Sequence, residues 1–315
     1  MVLTVEPLRS LILAAAGNDT IRRLVTTAPG ARSVVARFVA GETVDDALAA
    51  VAALAADGRH ATLDHLGENA GDPASAESAV SAYLGLLDAL RAGALTGRAE
   101  VSVKLSALGL RADEPAALDR AARICAAAHQ HGTGVTIDME EHDTVDATLR
   151  VVRELRRTWP SVGAVLQSYL RRTEADAAAL AVEGSRVRLC KGAYAAPPTS
   201  SGTAFATASE VDLSYVRCAN ILLAGGGYPM FATHDPRLIE VLGERVRWYG
   251  RREGTYEYQL LFGVRPDEQR RLAAEGETVR VYVPFGEQWY GYLMRRLAER
   301  PANTAFFLRA LASRS

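Results

Sequence analysis

Of the 36 basic side chains in this 315-residue chain, only Lys104 and Lys191 are lysine. A lysine ammonium is a compact charge with three rotatable donors, whereas a guanidinium is a planar fork. In a chain that uses arginine for nearly every cationic task, a lysine marks a tight site that the larger group would not fit. Lys104 stands in "EVSVKLSALG" beside Ser106. Lys191 stands in "RVRLCKGAY", three residues after Arg188 and three before Tyr194. A further cationic unit is Arg295–Arg296 in "YLMRRLAERPAN". Adjacent residues on a helix point about 100° apart, so the two cannot share one direction. Two guanidiniums with Lys104 would clamp a carboxylate or a phosphate. "DMEEHD" brings Asp138, Met139 and Glu140 together; its carboxylates could serve proton transfer, but their spacing matches no specific metal site. "FATHD" adds Thr233, His234 and Asp235, a hydroxyl and an imidazole able to meet phosphate oxygens.

These residues recur at one kind of position. From about residue 60 the chain alternates short apolar stretches with longer stretches of helical periodicity. The expected strands cover 61–67, 100–109, 134–140, 163–170, 186–194, 228–235, 255–263 and 279–286. The expected helices lie near 77–92, 114–131, 144–158, 172–183, 208–225, 235–249, 266–275 and 287–300. Strands that read as apolar runs imply a parallel sheet buried on both faces. Eight such units in about 240 residues match a closed (β/α)8 barrel. An open doubly wound sheet is the alternative, but it would normally carry a glycine-rich phosphate turn, and GxGxxG does not occur. Residues 1–58 read as an extra helical arm or subdomain ("PLRSLILAAA", "TVDDALAAVAALAADG"). Residues 59–315 read as the barrel with a last helix in "NTAFFLRALAS".

A barrel of this kind builds its site at the C-terminal ends of its strands. Strand one brings Asp64 and His65 there; strand two brings Lys104 and Ser106; strand three brings Asp138, Met139 and Glu140. Strand four adds Gln167 and Tyr169, and strand five adds Arg188, Lys191 and Tyr194. Strands six to eight add Thr233, His234 and Asp235, then Glu257 and Gln259, then Tyr282. "AGGGYP" (224–229) reads as a helix C-cap rather than a phosphate loop. The stretch 195–208 is the loosest of the strand–helix connections.

Composition excludes several classes. The formal net charge is −1, which argues against nucleic acid as a partner. No apolar run is long enough to span a membrane, and no secretory signal is read at the N-terminus. The three cysteines are widely spaced, as fits reduced thiols in a cytoplasm.

At this point the residues resemble a family. "VSVKLSALG", "IDMEEHD", "LQSYLRRT", "VRLCKGAY", "FATHDP", "YEYQLLFGVRP", "RVYVPFG" and "WYGYLMRRLAERPAN" together resemble proline dehydrogenase in its short, single-function bacterial form. The resemblance covers about residues 60–305. It implies a distorted (β/α)8 barrel holding FAD non-covalently, and oxidation of L-proline to Δ1-pyrroline-5-carboxylate by hydride transfer to flavin N5. Lys104, Arg295 and Arg296 match the substrate-carboxylate clamp, and Tyr194 and Tyr282 match aromatic residues over the proline ring. Asp138 matches the acidic residue near that ring, and Arg188 matches the arginine at the reacting edge of the flavin. Met139, Gln167, Lys191, Gly192, Ala193, Thr233 and His234 match flavin-contact positions, and Glu299 a carboxylate that orders the site. The resemblance further implies a membrane quinone as acceptor, reached from the inner face of the cell membrane. It also implies a separate pyrroline-5-carboxylate dehydrogenase downstream. Two rival readings remain at this stage: a Schiff-base lyase with Lys191 as nucleophile, and a catalytically silent barrel that only binds.

Overall fold

The computed structural model describes residues 31–67, 69–194, 197 and 199–299, with the backbone alone at 31–34, 199 and 295–299. Eight parallel strands close into a barrel in chain order. They are β1 (His60–His65), β2 (Ala99–Val103), β3 (Val135–Ile137), β4 (Gly163–Gln167), β5 (Arg186–Cys190), β6 (Tyr228–Ala232), β7 (Glu257–Leu261) and β8 (Val279–Phe285). Closure is made by β1 against β8, paired from His60↔Arg280 to His65↔Phe285. The expected (β/α)8 barrel is therefore the observed fold.

The strands are not apolar throughout. They alternate, and the alternation has two partners. Val101, Val103, Ile137, Val281 and Val283 are buried with the helices in one apolar cluster, and Val187, Leu189, Phe231 and Leu260 in another. Each such side chain contributes about 1.5–3 kcal/mol by leaving water. The intervening residues face the barrel axis and are largely polar: Glu100 and Ser102, Arg186 and Arg188, Glu257 and Gln259, Arg280 and Tyr282. Cross-barrel bonds fix this direction, since Arg188 on β5 bonds Ser102 on β2 and Gln259 on β7. Buried polar groups are costly unless paired, so a polar lumen requires a continuous bonding network.

The helices start where short polar residues cap them. Ten are described: α1 (Ala31–Phe38), α2 (Val44–Ala56), α3 (Pro73–Ala92), α4 (Glu114–Gln130), α5 (Val145–Thr158), α6 (Thr173–Leu180), α7 (Ala208–Ala224), α8 (Pro236–Trp248), α9 (Pro266–Ala274) and α10 (Trp289–Glu299). Thr43 and Asp46 form a reciprocal capping box on α2. Asp72 caps α3 ahead of Pro73, and Asp235 caps α8 ahead of Pro236. Helix α2 packs on β1 and β8. Backbone bonds Ala40 N–H to Pro284 O (3.0 Å) and Gly286 N–H to Gly41 O (2.9 Å) tie its entry to the end of β8. In a regular barrel the helix after the last strand would fill that place. Here that helix, α10, brings Tyr292 to the C-terminal mouth instead. The expected helices in "PLRSLILAAA" and "NTAFFLRALAS" lie outside the described residues.

Two local expectations are corrected. Strand two stops at Val103 and passes into a 3-10 turn, Ser106–Leu108, closed by Gly109 at φ +88°. That turn lifts Lys104 and Ser106 off the strand into the mouth. Strand three stops at Ile137, before its expected end at 140. The glycines of "AGGGYP" cap a helix as expected: Gly225 is the C-cap of α7, its N–H on Ile221 O and its backbone extended (φ −78°). They allow close approach: a Cβ at Gly225 would lie 2.3 Å from Ala181 O, and one at Gly227 2.7 Å from Ser185 O.

Candidate active site

At the C-terminal mouth of the barrel lies a cavity of about 570 Å³. Its floor is a set of four ionisable groups from four strands. Lys104, on the turn after β2, is only 6% exposed. Its Nζ lies 2.5 Å from Asp64 Oδ1 and 3.7 Å from Asp138 Oδ2, and it donates to Tyr282 Oη at 3.2 Å. Tyr282 Oη donates in turn to Asp138 Oδ2 at 2.8 Å. Asp138 Oδ1 accepts from Arg188 Nη1 (2.7 Å) and Ser102 Oγ (2.7 Å). Gln259 Oε1 receives Arg188 Nε at 2.5 Å. One ammonium, one guanidinium and two carboxylates thus meet at the base of one pocket.

Burial is the first influence on Asp64 and on Tyr282. It raises the Asp64 carboxyl; Lys104 opposes this and Asp138 adds to it. It drives the Tyr282 hydroxyl well above its usual range, helped by the charges of Asp138 and Asp64, so Tyr282 serves as a neutral donor. His65, beside Asp64 on β1, is lowered by burial and packs edge-on to Phe285 with ring centroids 5.3 Å apart.

The rim is cationic and hydrogen-bonding. Lys191 bridges Asp212 Oδ1 (2.5 Å) and Asp235 Oδ2 (3.1 Å). Asp235 is held below the usual carboxylate range by its bond from Arg237, with Lys191 contributing. Gly192 follows at φ +115°, and a Cβ there would lie 2.2 Å from the Tyr169 ring. Glycine is needed at this point, because the backbone has a positive φ and a side chain would run into the Tyr169 ring. His234 Nε2 accepts the Leu261 N–H at 2.8 Å, so in the neutral ring the proton sits on Nδ1. Gln167 Nε2 donates to Glu140 O at 2.8 Å, and Glu140 accepts the Ser106 N–H (2.9 Å) and hydroxyl. These bonds join the ends of β2, β3 and β4. The other carboxylates of "DMEEHD", Glu141 and Asp143, are bound by Arg111.

Nearly all the residues singled out in the sequence converge here. Lys104, Asp138, Arg188 and Tyr282 line the inner half. Met139, Gln167, Lys191, Gly192, Ala193, Tyr194, Thr233 and His234 line the rest. Arg295, Arg296 and Glu299 lie on α10, whose Tyr292 also lines the cavity; their side chains lie outside the described residues. Glu257 is a correction. It opens β7 rather than ending it, and sits at the opposite, N-terminal end of the barrel. There it binds Arg280 (2.8 and 3.1 Å) and accepts from Tyr228. Asp64 is the residue to which the sequence alone assigned no role. Its one signal is a lone acid inside the apolar run "ATLDHL".

Beneath the site, Glu100 is ringed by arginines: Arg186 at 2.8 Å, and Arg188 and Arg280 at 3.8 Å each. Burial raises its carboxyl, but the three guanidiniums outweigh this and bring it down to about 2.

A sequence model of the proline dehydrogenase family matches residues 47–309. This chain belongs to that family. It is 40% identical to the proline dehydrogenase of Deinococcus radiodurans over 87% of this chain and 89% of that one. It is 35% identical to proline dehydrogenase 1 of Bacillus subtilis subsp. natto over 96% and 99%. The bifunctional protein PutA of Escherichia coli is 31% identical over 94% of this chain but only 25% of its own length. The fold is similar to the crystal structure of proline utilization A from Bdellovibrio bacteriovorus inactivated by N-propargylglycine. The TM-score is 0.79 at 25% identity, over 90% of this chain. The chain spans about a third of that solved protein, 34%. Among the described residues no helix is long and apolar enough to cross a membrane.

Proposed function

We propose that this member of the family oxidises L-proline to Δ1-pyrroline-5-carboxylate in the mouth of the barrel, with FAD bound beside the substrate. The observation that carries the reading is the convergence of Lys104, Asp138, Arg188 and Tyr282 on one cavity. The residues fit a flavin. A cavity of about 570 Å³ falls within the usual range for small-molecule sites, about 300–1,000 Å³. Arg188 lines that cavity as a cation already fixed by Asp138, Ser102 and Gln259. Lys191, Thr233 and His234 supply a cation and donors at the rim for the polar parts of the cofactor.

Bound FAD supplies the two-electron acceptor that takes hydride from the carbon next to the ring nitrogen. The chain supplies the rest. Lys104, Arg295 and Arg296 grip the substrate carboxylate, which needs several charge-assisted bonds to leave water. That grip fixes which ring carbon can react. Asp138 orients the amine through Oδ2 and draws off its proton, so that the nitrogen lone pair can assist. Tyr282 and Tyr194 cover the ring, Tyr282 held in place by Lys104 and Asp138. Tyr282 also fills space where a ring hydroxyl would sit, favouring proline over hydroxyproline. Arg188 is a fixed cation that favours an electron-rich reduced ring. Met139, Gln167, Gly192 and Ala193 form the cofactor wall, and Glu299 orders the arginine pair.

Lys191 engages two carboxylates, which speaks against a Schiff-base lyase. On this reading the electrons pass on to a membrane quinone at the inner face of the cell membrane. A separate pyrroline-5-carboxylate dehydrogenase takes the product. The test is the visible spectrum of the purified protein: a flavin spectrum bleached by L-proline is expected. A colourless protein trapped by borohydride in the presence of substrate would overturn the assignment.

A further inference from the structure

Asp64 stands outside the roles given so far, yet it lies closer to Lys104 than any other carboxylate described. Its side chain is completely buried. Oδ1 meets Lys104 Nζ at 2.5 Å, and Oδ2 makes no hydrogen bond. The groups that face it among the described residues are Lys104 from β2, Asp138 from β3, Tyr282 from β8, Tyr83 from α3 and His65 on its own strand. Among the described side chains, Lys104 and Arg188 stand against Asp64 and Asp138 in the inner half of the pocket. The inference rests on the assignment of Lys104 to the substrate carboxylate. A ligand carboxylate brought to Lys104 would stand beside an aspartate that already holds the same ammonium.

We propose that Asp64 takes up one proton when a carboxylate docks on Lys104, releasing the lysine's charge from its internal pair to the ligand. One O–H bond forms at Asp64, the proton comes from solvent, and no electrons move. Asp138 differs from Asp64 in its bonding. Both its oxygens already accept hydrogen bonds, from Arg188, Ser102 and Tyr282. Asp64 has an oxygen with no donor, and burial already raises its carboxyl.

The probe is cyclopentanecarboxylate, a five-membered ring acid without an amine, titrated into the flavin-loaded enzyme by calorimetry in buffers of different ionisation enthalpy. Uptake of about one proton per carboxylate is expected, with Kd rising about tenfold per pH unit on the alkaline side. In Asp64→Asn the uptake should vanish and Kd should become flat with pH. No uptake across the neutral and alkaline range, or equal uptake in Asp64→Asn, overturns the proposal. Should that variant fail to fold, the infrared difference spectrum of the wild type decides, because binding must bring up the carbonyl stretch of a protonated carboxyl. Lys104→Met separates the two levels. Unchanged affinity for the probe there would remove the carboxylate assignment itself. Lost affinity there, with no proton uptake by the wild type, would remove only the role of Asp64.

Discussion

The arginine ring around Glu100 makes a prediction that joins stability to pH. Glu100 is 2% exposed and is the carboxylate shared by Arg186, Arg188 and Arg280. Glu100→Gln keeps the shape and removes the charge, leaving Glu257 alone to face Arg186 and Arg280. Breaking a buried pair by removing one partner costs about 3–5 kcal/mol, a large share of the roughly 5–15 kcal/mol that holds a domain folded. With a urea slope of about 3 kcal/mol per M, the midpoint should fall by about 1–2 M at neutral pH. The carboxyl is depressed in the folded state, from the ordinary 4.5 to about 2. Its contribution is therefore fully present above pH 4.5 and is lost as the pH falls toward 2. The gap between wild type and variant should close over that same window. Arg188 keeps its bonds to Asp138, Ser102 and Gln259, so turnover in the folded fraction should change by less than about tenfold, under 1.4 kcal/mol of barrier. Urea titrations at neutral and acid pH, with turnover measured on the same samples, test all three statements. A loss under about 1 kcal/mol, below what is typical for such pairs, would refute the reasoning. So would a gap that stays constant into acid.

Tyr282→Phe removes a donor to Asp138 and an acceptor for Lys104. Hydrogen bonds to charged groups are worth about 1.5–3 kcal/mol, so steady-state assays with L-proline should show kcat/KM lower by about 10- to 150-fold. Gly192→Ala places a methyl against the Tyr169 ring on backbone at φ +115°. The backbone strain of about 1–2 kcal/mol and overpacking of about 1–3 kcal/mol should lower the melting temperature and reduce the flavin retained on gel filtration. Full flavin content at wild-type stability would contradict the close approach.

The barrel was legible because its strands end in chemistry. Polar residues at the tips of "EVSVK", "RVRLCK" and "FATHD", with long amphipathic stretches between them, indicate strands feeding a common face, and the pocket gathers Lys104, Lys191 and His234 as expected. The polar lumen was missed for a specific reason. Glu-x-Ser-x-Lys, Arg-x-Arg and Glu-x-Gln alternate with valine, leucine and tyrosine, and that period of two marks two different faces. Read as ends of apolar runs, Glu257 and Gln259 looked equivalent. In the barrel Glu257 belongs to the N-terminal end, and Gln259, two residues on, reaches Arg188 in the site. Asp64 was illegible because its meaning depends on a neighbour 40 positions away, supplied only when β1 docks beside β2.

The two lysines share a geometry. Each lysine is shared between two carboxylates that approach from different elements. Lys104 lies between Asp64 and Asp138, and Lys191 between Asp212 and Asp235. Guanidiniums of this chain also bind carboxylates side-on through two donors, as Arg280 does with Glu257 and Arg150 with Glu114. A guanidinium presents its donors in one plane and binds one carboxylate side-on. An ammonium presents three around a point, and can change partners by rotating one bond. At Lys104 that freedom matters, because a ligand carboxylate must take over part of a charge already in use. Arginine there would hold Asp64 side-on and give less of its charge to the ligand. Lys104→Arg should accordingly raise KM for proline more than it lowers kcat, the opposite of what loss of a group acting only in the transition state would produce.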